Sequence, residues 1–546
     1  MHALTAPLSE LAEIEEICEE RGREPGMLLL SGCVTSQKTH LMYALGKDYG
    51  HTLIVLSSED KAKKLYEEYR FLNENTSYYP AKDLLFYQAD IHGKQLVKQR
   101  METLQMMMEA KSQVTVITTI DGFMDELPSE AEIKGDILTI SNGEALEFES
   151  LKEKIIKLGY DREAQVDGPG QFAVRGGIID IYPLTEELPI RIEFWGDEVD
   201  SIRTFDVDSQ RSVENLEQIV IYPADDRLGS DRKVSFINYF DPKDTLVFLD
   251  EPARLLEKGR LAENEVEKAR ENRAEEMERT GEMEEAPEFF TTDEIIKFLN
   301  KFCMIGMCAL EMKCKPFFVK KRFGIQAKSV NPYNSSFEML TQDLKRLKRN
   351  GYRAVLISGS RTRAKRLAED LRDYDMSSFY SEDQEREVNP GEIMVCYGHI
   401  EVGYEYPMIK FIVISESDIF GKTKKKKKRK SYDGQKISSF SDLKPGDYVV
   451  HENHGLGIYR GIEKIEVDKV TKDYMKISYA DGGNLYILAT QLDQIQKYAS
   501  ADAKKPKLNK LGGQEWHRTK SKVKTAVWQI AKDLVELYAV RQSKEG

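Results

Sequence analysis

The sequence predicts a multidomain α/β protein in which β-rich modules are set among nucleotide-binding-type α/β units. Three observations predict it. Short apolar strands alternate with charged or amphipathic helices over residues 8–118, and again over 331–420. Between these stretches, residues 167–211 read as strands joined by tight turns. Beyond a lysine-rich run at 422–430, residues 447–488 become short strands punctuated by glycine, the texture of a small barrel. A chain of 546 residues has room for several such domains.

In chain order, residues 8–24 form a helix starting near Ser9, with Glu10, Glu13 and Glu15 in its early turns. Strands follow at 27–30, 52–56 and 114–118, with helices from about Lys38 and over 59–68. A β-rich module spans 130–222. In it, Asp167-Gly168-Pro169-Gly170 is a turn, and Gly196-Asp197 joins two alternating segments as a hairpin. Residues 246–249 are a buried strand, and 251–287, rich in Glu, Arg, Lys and Ala, an exposed helix. The second α/β unit has strands at 354–358, 392–396 and 411–414 and a helix at 362–371. The run Lys422 to Lys430 repels itself and reads as a linker, with phosphate contact the alternative. Barrel strands are expected at 447–450, 457–467, 474–479 and 484–488, and a last amphipathic helix at 523–538.

Composition narrows the function classes. Apolar residues make up 40% and charged residues 32%, with a net charge of −13. That describes a soluble chain with ordinary cores and argues against a protein coated in nucleic acid, although local basic patches remain available. The six cysteines contain no CxxC pair, so neither a disulfide framework nor a structural zinc site is expected. No apolar run reaches membrane-span length and no signal peptide opens the chain, so a cytoplasmic location is the simplest. His451 and His454 lack acidic or cysteine company and read as structural.

Residues Gly32 to Thr39 have the spacing of a phosphate-binding loop, GxxxxGK[ST], with Gln37 where the second glycine belongs. That glycine lets backbone approach phosphate, and a glutamine side chain crowds the space. Lys38 and Thr39 are still suited to hold a phosphate weakly. The magnesium carboxylates considered, Glu416 and Asp418, fall in the other α/β unit. The loop is read as degenerate, with no catalytic residue, no metal and no cofactor.

Residues 167–211 resemble the UvrA-binding module shared by the excision-repair helicase UvrB and the bacterial transcription-repair coupling factors (Mfd). The resemblance implies that Arg175, Arg191 and Trp195 contact UvrA. Strand alternation puts Arg191, Glu193 and Trp195 on one face and Ile190, Ile192 and Phe194 on the other, with Arg191 exposed. Arg175 precedes Gly176-Gly177 at an expected strand irregularity. The aromatics Tyr78, Tyr79, Phe86 and Tyr87 sit where UvrB carries a lesion-locking hairpin, but the segment is too short for one. The motif LKPGDYVVHENHGLGIYRGI, with DYMKISYADGGNLYILATQLDQIQKY after it, resembles the RNA-polymerase-interacting domain of the same family and of CarD-type regulators. It implies a docking site for the polymerase β subunit at Ile465, Glu466 and Val467. Periodicity alone places Ile465 equally well in the barrel core.

The organisation expected is therefore a degenerate P-loop, UvrB-like domain at 1–129, completed by 223–330, with the UvrA-binding domain 130–222 inserted. A small α/β spacer at 331–420, a basic linker at 421–442, an SH3/Tudor-like barrel at 443–510 and a connector at 511–546 follow. The resemblance implies the amino-terminal half of a coupling factor. Its ATP- and magnesium-dependent motor on double-stranded DNA lies beyond Gly546, and the partners of this part are UvrA and RNA polymerase. The alternatives are a UvrB-like ATP-dependent helicase subunit and a CarD-like transcription regulator.

Overall fold

In a computed structural model the structure describes residues 2–516, apart from 23, 83–93, 208, 226–232, 281–287, 375, 384–385, 422–434, 437–442, 452–453, 468–469, 481, 489–494, 499–505 and 511–515. The basic run, Phe86, Tyr87 and the expected helix at 523–538 lie outside the described residues. The described residues up to Gly421, apart from Lys94 and Gln95, form one compact unit, and those from Gln435 onward belong to a second.

In the first unit the apolar runs become parallel strands. Among the described residues, seven strands stand in the order Val319–Gly324, Gly26–Ser31, Cys303–Cys308, Thr245–Asp250, His51–Leu56, Val114–Thr119 and Thr76–Tyr78. Every pairing is parallel. A parallel sheet is covered on both faces, so its inner strands are apolar at nearly every position rather than at alternate ones. Leu28, Leu29, Leu30, Ile54, Val55, Val247 and Phe248 are all fully buried. The strand Cys303–Cys308, unmarked in the sequence reading, is central; Gly306 leaves room for Met27, Leu29 and Pro252. The helix expected from Lys38 starts earlier, at Thr35, and the one expected from Ser9 is a 3-10 turn Ala6–Glu10 followed by Ala12–Glu20.

The β-rich insert is a six-stranded sheet among the described residues, ordered Ser212–Leu216, Glu198–Phe205, Ile190–Trp195, Ile178–Tyr182, Gln171–Arg175 and Asp161–Arg162. All pairings are antiparallel except the last. Gly176 (φ +59°) and Gly196 (φ +65°) each take the first central place of a two-residue hairpin turn, where only glycine is unstrained. The irregularity expected at Arg175 is thus a tight turn: Arg175 pairs with Ile178 across it. Tyr78 and Tyr79 are core residues: Tyr79 stacks on Phe236 at 3.5 Å, with the Arg100 guanidinium 4.4 Å from its ring centre.

The 331–420 segment was expected to be a spacer. Its sheet (order Lys328–Ser329, Tyr404–Tyr406, Phe411–Ser415, Arg353–Ser358, Ile393–Tyr397, Ser378–Tyr380) shares a buried cluster with the parallel sheet. Leu28, Leu30 and Leu41 belong to the same cluster as Val355, Tyr404, Tyr406 and Phe411. His40, on the helix Thr35–Gly46, stacks on Tyr404 at 5.2 Å and bonds the Tyr406 hydroxyl through Nδ1 at 3.1 Å.

In the second unit, the described strands run in the order Gln435–Lys436, Ile495–Lys497, Tyr448–His451, Gly455–Val467, Val470–Ser478 and Asn484–Leu488. All neighbours are antiparallel around a small core of Val449, Tyr459, Met475, Ile477 and Ile487. Its two outermost strands do not pair with each other among the described residues, and a small barrel with an incompletely paired edge is what the sequence led us to expect. His451 is buried, and its Nδ1 accepts the His454 backbone N–H at 3.3 Å.

Candidate functional site

The loop with phosphate-binding spacing connects Gly26–Ser31 to the helix Thr35–Gly46, as strand–loop–helix. Its interior is filled by protein. Gln37 is fully buried and its Oε1 accepts the Val34 N–H at 3.1 Å, so the residue standing where glycine was expected takes up a loop amide itself. Lys38 Nζ donates to Asp250 Oδ1 at 2.6 Å and Glu251 Oε1 at 2.7 Å, with the Met307 carbonyl at 3.4 Å. Burial works against the ammonium, but the two carboxylates more than offset it and raise its pKa. Thr39 is buried, and the Ser36 hydroxyl accepts the Val402 N–H from the 331–420 domain at 3.1 Å. Cys33 is sealed in beside them, its thiol pushed up to about 12 by burial.

The acidic partners are therefore Asp250 and Glu251, at the end of the strand Thr245–Asp250, and not Glu416 or Asp418. Glu416 binds Ser358, the Gly359 N–H and Arg363, and Asp418 caps Ser415 and takes the Gly403 N–H. Glu251 also accepts the Ala309 N–H at 3.0 Å and sits at φ +54°, a strained conformation for a non-glycine residue held at the crowded centre of the site. Gly32 (φ +82°) has no room for a side chain: a Cβ would lie 2.4 Å from the Ile325 carbonyl oxygen. Gly32→Ala should lower stability by about 2 kcal/mol or more, read as a drop in the urea midpoint.

On the insert's sheet, cross-strand register puts Arg175, Ile178, Glu193 and Ser201 in one row and Asp180, Arg191 and Arg203 in the next, all on one face. The three sequence-derived residues fare differently there. Trp195 is 84% exposed at the hairpin tip. Arg175 is exposed and makes no ion pair among the described residues. Arg191, expected to be exposed, is not: only 15% of its side chain is accessible, and Asp180 holds it in a two-pronged ion pair, Nε to Oδ1 at 2.6 Å and Nη2 to Oδ2 at 2.9 Å. The hydrogen bonds to Asp180 raise its already high pKa. Glu193 is taken by Arg203 and by the Ser201 hydroxyl at 3.1 Å. Phe194 turns inward onto Phe148, 5.2 Å between ring centres, where a bulge shifts the register. Sequence reasoning missed Asp180, although a lone carboxylate within Ile178-Ile179-Asp180-Ile181 was a visible signal.

In the second unit, Ile465, Glu466 and Val467 pair with Lys472, Thr471 and Val470. The strand Gly455–Val467 pairs with Tyr448–His451 only over residues 455–458. A bulge at Arg460, with Gly461 at φ +115°, then carries it past that neighbour. Among the described residues, 461–467 are bonded on one edge alone, with Ile462 45% exposed.

Comparison with known proteins agrees with this division. The UvrB interaction domain family matches residues 138–226, and the CarD-like/TRCF RID domain family matches 443–499. The chain is similar to the transcription-repair-coupling factor of Bacillus subtilis (strain 168), 30% identical over 95% of this chain and 49% of the relative. It is similar also to those of Staphylococcus haemolyticus, at 29% over 95% and 49%, and Staphylococcus epidermidis, at 28% over 99% and 51%. It spans about half the length of these curated relatives. The chain is thus a relative of the transcription-repair-coupling factors that carries a UvrB interaction domain and a CarD-like/TRCF RID domain on one polypeptide.

Proposed function

We propose that this chain is the adaptor part of a transcription-repair coupling factor, joining stalled RNA polymerase to UvrA-dependent nucleotide excision repair. The observation that carries the reading is Trp195. An indole 84% exposed at a hairpin tip, on a sheet of the UvrB interaction domain type that also carries Arg175 and Arg191, contributes little to the chain's own packing and has the composition of an interface hot spot. Arg175, Arg191 and Trp195 form the UvrA-binding face. Ile465, Glu466 and Val467, on an edge that still has strand-pairing capacity, dock on the polymerase β subunit by strand addition, in a small SH3/Tudor-like fold.

The nucleotide-loop lobe, with its UvrB-like arrangement, serves as scaffold. Gly32, Gln37, Lys38 and Thr39 bind no nucleotide, because the chain's own groups fill the loop. ATP, magnesium and double-stranded DNA belong to the motor of the whole protein, which works in the cytoplasm. No helix among the described residues is long and apolar enough to cross a membrane.

Retention of the two partners by separate surfaces is the test. Trp195→Ala should weaken UvrA binding by about 2 kcal/mol, roughly thirtyfold, and leave polymerase retention unchanged. Ile465→Glu should do the reverse. UvrA held at parental affinity by the Trp195→Ala chain would sink the assignment.

A further inference from the structure

Arg191 is gripped on one side and open on the other. A guanidinium has five N–H donors. Nε and Nη2 each give one to Asp180, and Nη2 gives its other to Gln210 Oε1 at 3.2 Å. The two on Nη1 have no acceptor among the described residues. The Phe205 ring lies 4.5 Å from the guanidinium carbon and covers one face of the group. Asp180 is 2% exposed and lies directly across the strand pair from Arg191, so its grip on the side edge fixes which way the end edge points.

Gln210 is an unusual partner. It stands at φ +58°, a conformation that non-glycine residues rarely adopt, on the loop leading into Ser212–Leu216. Its amide N–H donates to the Val207 carbonyl at 2.9 Å while its Oε1 faces Arg191. A neutral amide oxygen therefore sits on half of the edge that a carboxylate would take in a fork-to-fork pair with Nη1 and Nη2. Hydrogen bonds to a charged acceptor are about twice as strong as those to a neutral one, so a carboxylate would displace it.

We infer that Asp180 is the positioning residue for Arg191, and that Gln210 Oε1 holds the place of one oxygen of an acidic side chain on UvrA. This rests on the UvrA-binding reading of the face. It adds the chemistry of what Arg191 receives, a carboxylate, and the two residues that prepare it.

The experiment is a titration of UvrA onto the full chain and four variants, with a melting curve for each. Asp180→Asn keeps the shape and loses the charge; it should weaken binding about tenfold. Gln210→Ala should bind about threefold more tightly, since nothing need be displaced. Asp180→Asn should cost nothing further in an Arg191→Ala background, whereas a merely structural role would lower affinity in both backgrounds alike. Parental affinity in Asp180→Asn, additive losses in the double variant, or a weaker Gln210→Ala would each overturn the inference. No UvrA binding by the parent would remove the functional reading itself.

Discussion

Replacing Lys38 with methionine is expected to destabilise the first unit by about 3–5 kcal/mol, the usual consequence of removing one partner from a buried ion pair. The reason is what remains. Asp250 and Glu251 are 10% and 13% accessible, and with Lys38 gone both charges stay in place without the ammonium that offsets their desolvation. Lys61, 3.6 Å from Asp250 and half-exposed, relieves one of them in part. Removing the whole cluster should cost far less than breaking it. The triple variant Lys38→Met, Asp250→Asn, Glu251→Gln should therefore recover most of the loss. Chemical denaturation of the three chains measures this directly. A Lys38→Met chain as stable as the parent would show that the lysine contributes little to the fold. ATP with magnesium should leave the parent's midpoint unchanged. A rise in midpoint that Lys38→Met cancels would mean a live nucleotide site.

The same cluster shows where sequence reasoning stopped. The strand ending at Asp250 was legible as an apolar run, and Lys38 was legible from its spacing. That the two meet was not. They lie 212 residues apart, and the antiparallel insert of Asp161–Arg162 to Ser212–Leu216 comes between the strands Val114–Thr119 and Thr245–Asp250. Periodicity reports which residues are buried, but not the order in which parallel strands line up. The order here also depends on Cys303–Cys308, a strand whose central glycine and sulfur-bearing residues hid it.

The face of the insert's sheet divides in the same way. Trp195 follows from two local facts, strand alternation and a Gly-Asp turn, and the structure places it at the exposed tip. Arg191 obeys the same alternation and still turns out mostly covered, because a side-chain pair across the strands decides its exposure. Alternation gives the face of the sheet on which a residue lies, not whether an acidic neighbour holds it there. The packing of the 331–420 domain was not legible at all. Three of its strands and the helix at 362–371 were legible, but the helix Phe337–Arg349 and the strand Tyr404–Tyr406 were not, nor was the contact they lead to: Tyr404 and Tyr406 cover His40, more than 360 positions away.

That contact brings a second large expected effect, in pH. Glu68, on the helix Glu59–Tyr69, is buried against the nucleotide loop and the 331–420 domain. Burial pushes its carboxyl up to about 8 from 4.5, and the nearby charge of Glu401 adds to the rise; the Ser36 and Thr39 hydroxyls and the Glu401 backbone only partly oppose it. Because the folded pKa lies above the unfolded one, the folded chain keeps a proton that the unfolded chain gives up. Its contribution to stability is complete below pH 4.5 and is lost as pH rises to about 8, at up to about 1.4 kcal/mol per pH unit. His40 on the same interface has the opposite sign. Burial lowers it to about 4 from 6.5, so its contribution is present above pH 6.5 and lost as pH falls through 4. The two oppose each other between 4.5 and 6.5 and cease to do so above it. The parent's stability should therefore decline between pH 6.5 and 8. Glu68→Gln, neutral at every pH, should stay flat there, while the parent loses roughly 1.5 kcal/mol between pH 6.5 and 8. Melting and denaturant curves for both chains from pH 5 to 9 would read this. A variant that declines in step with the parent would show that Glu68 is already ionised in the folded chain, with the 331–420 domain resting on a charged interface rather than a neutral one.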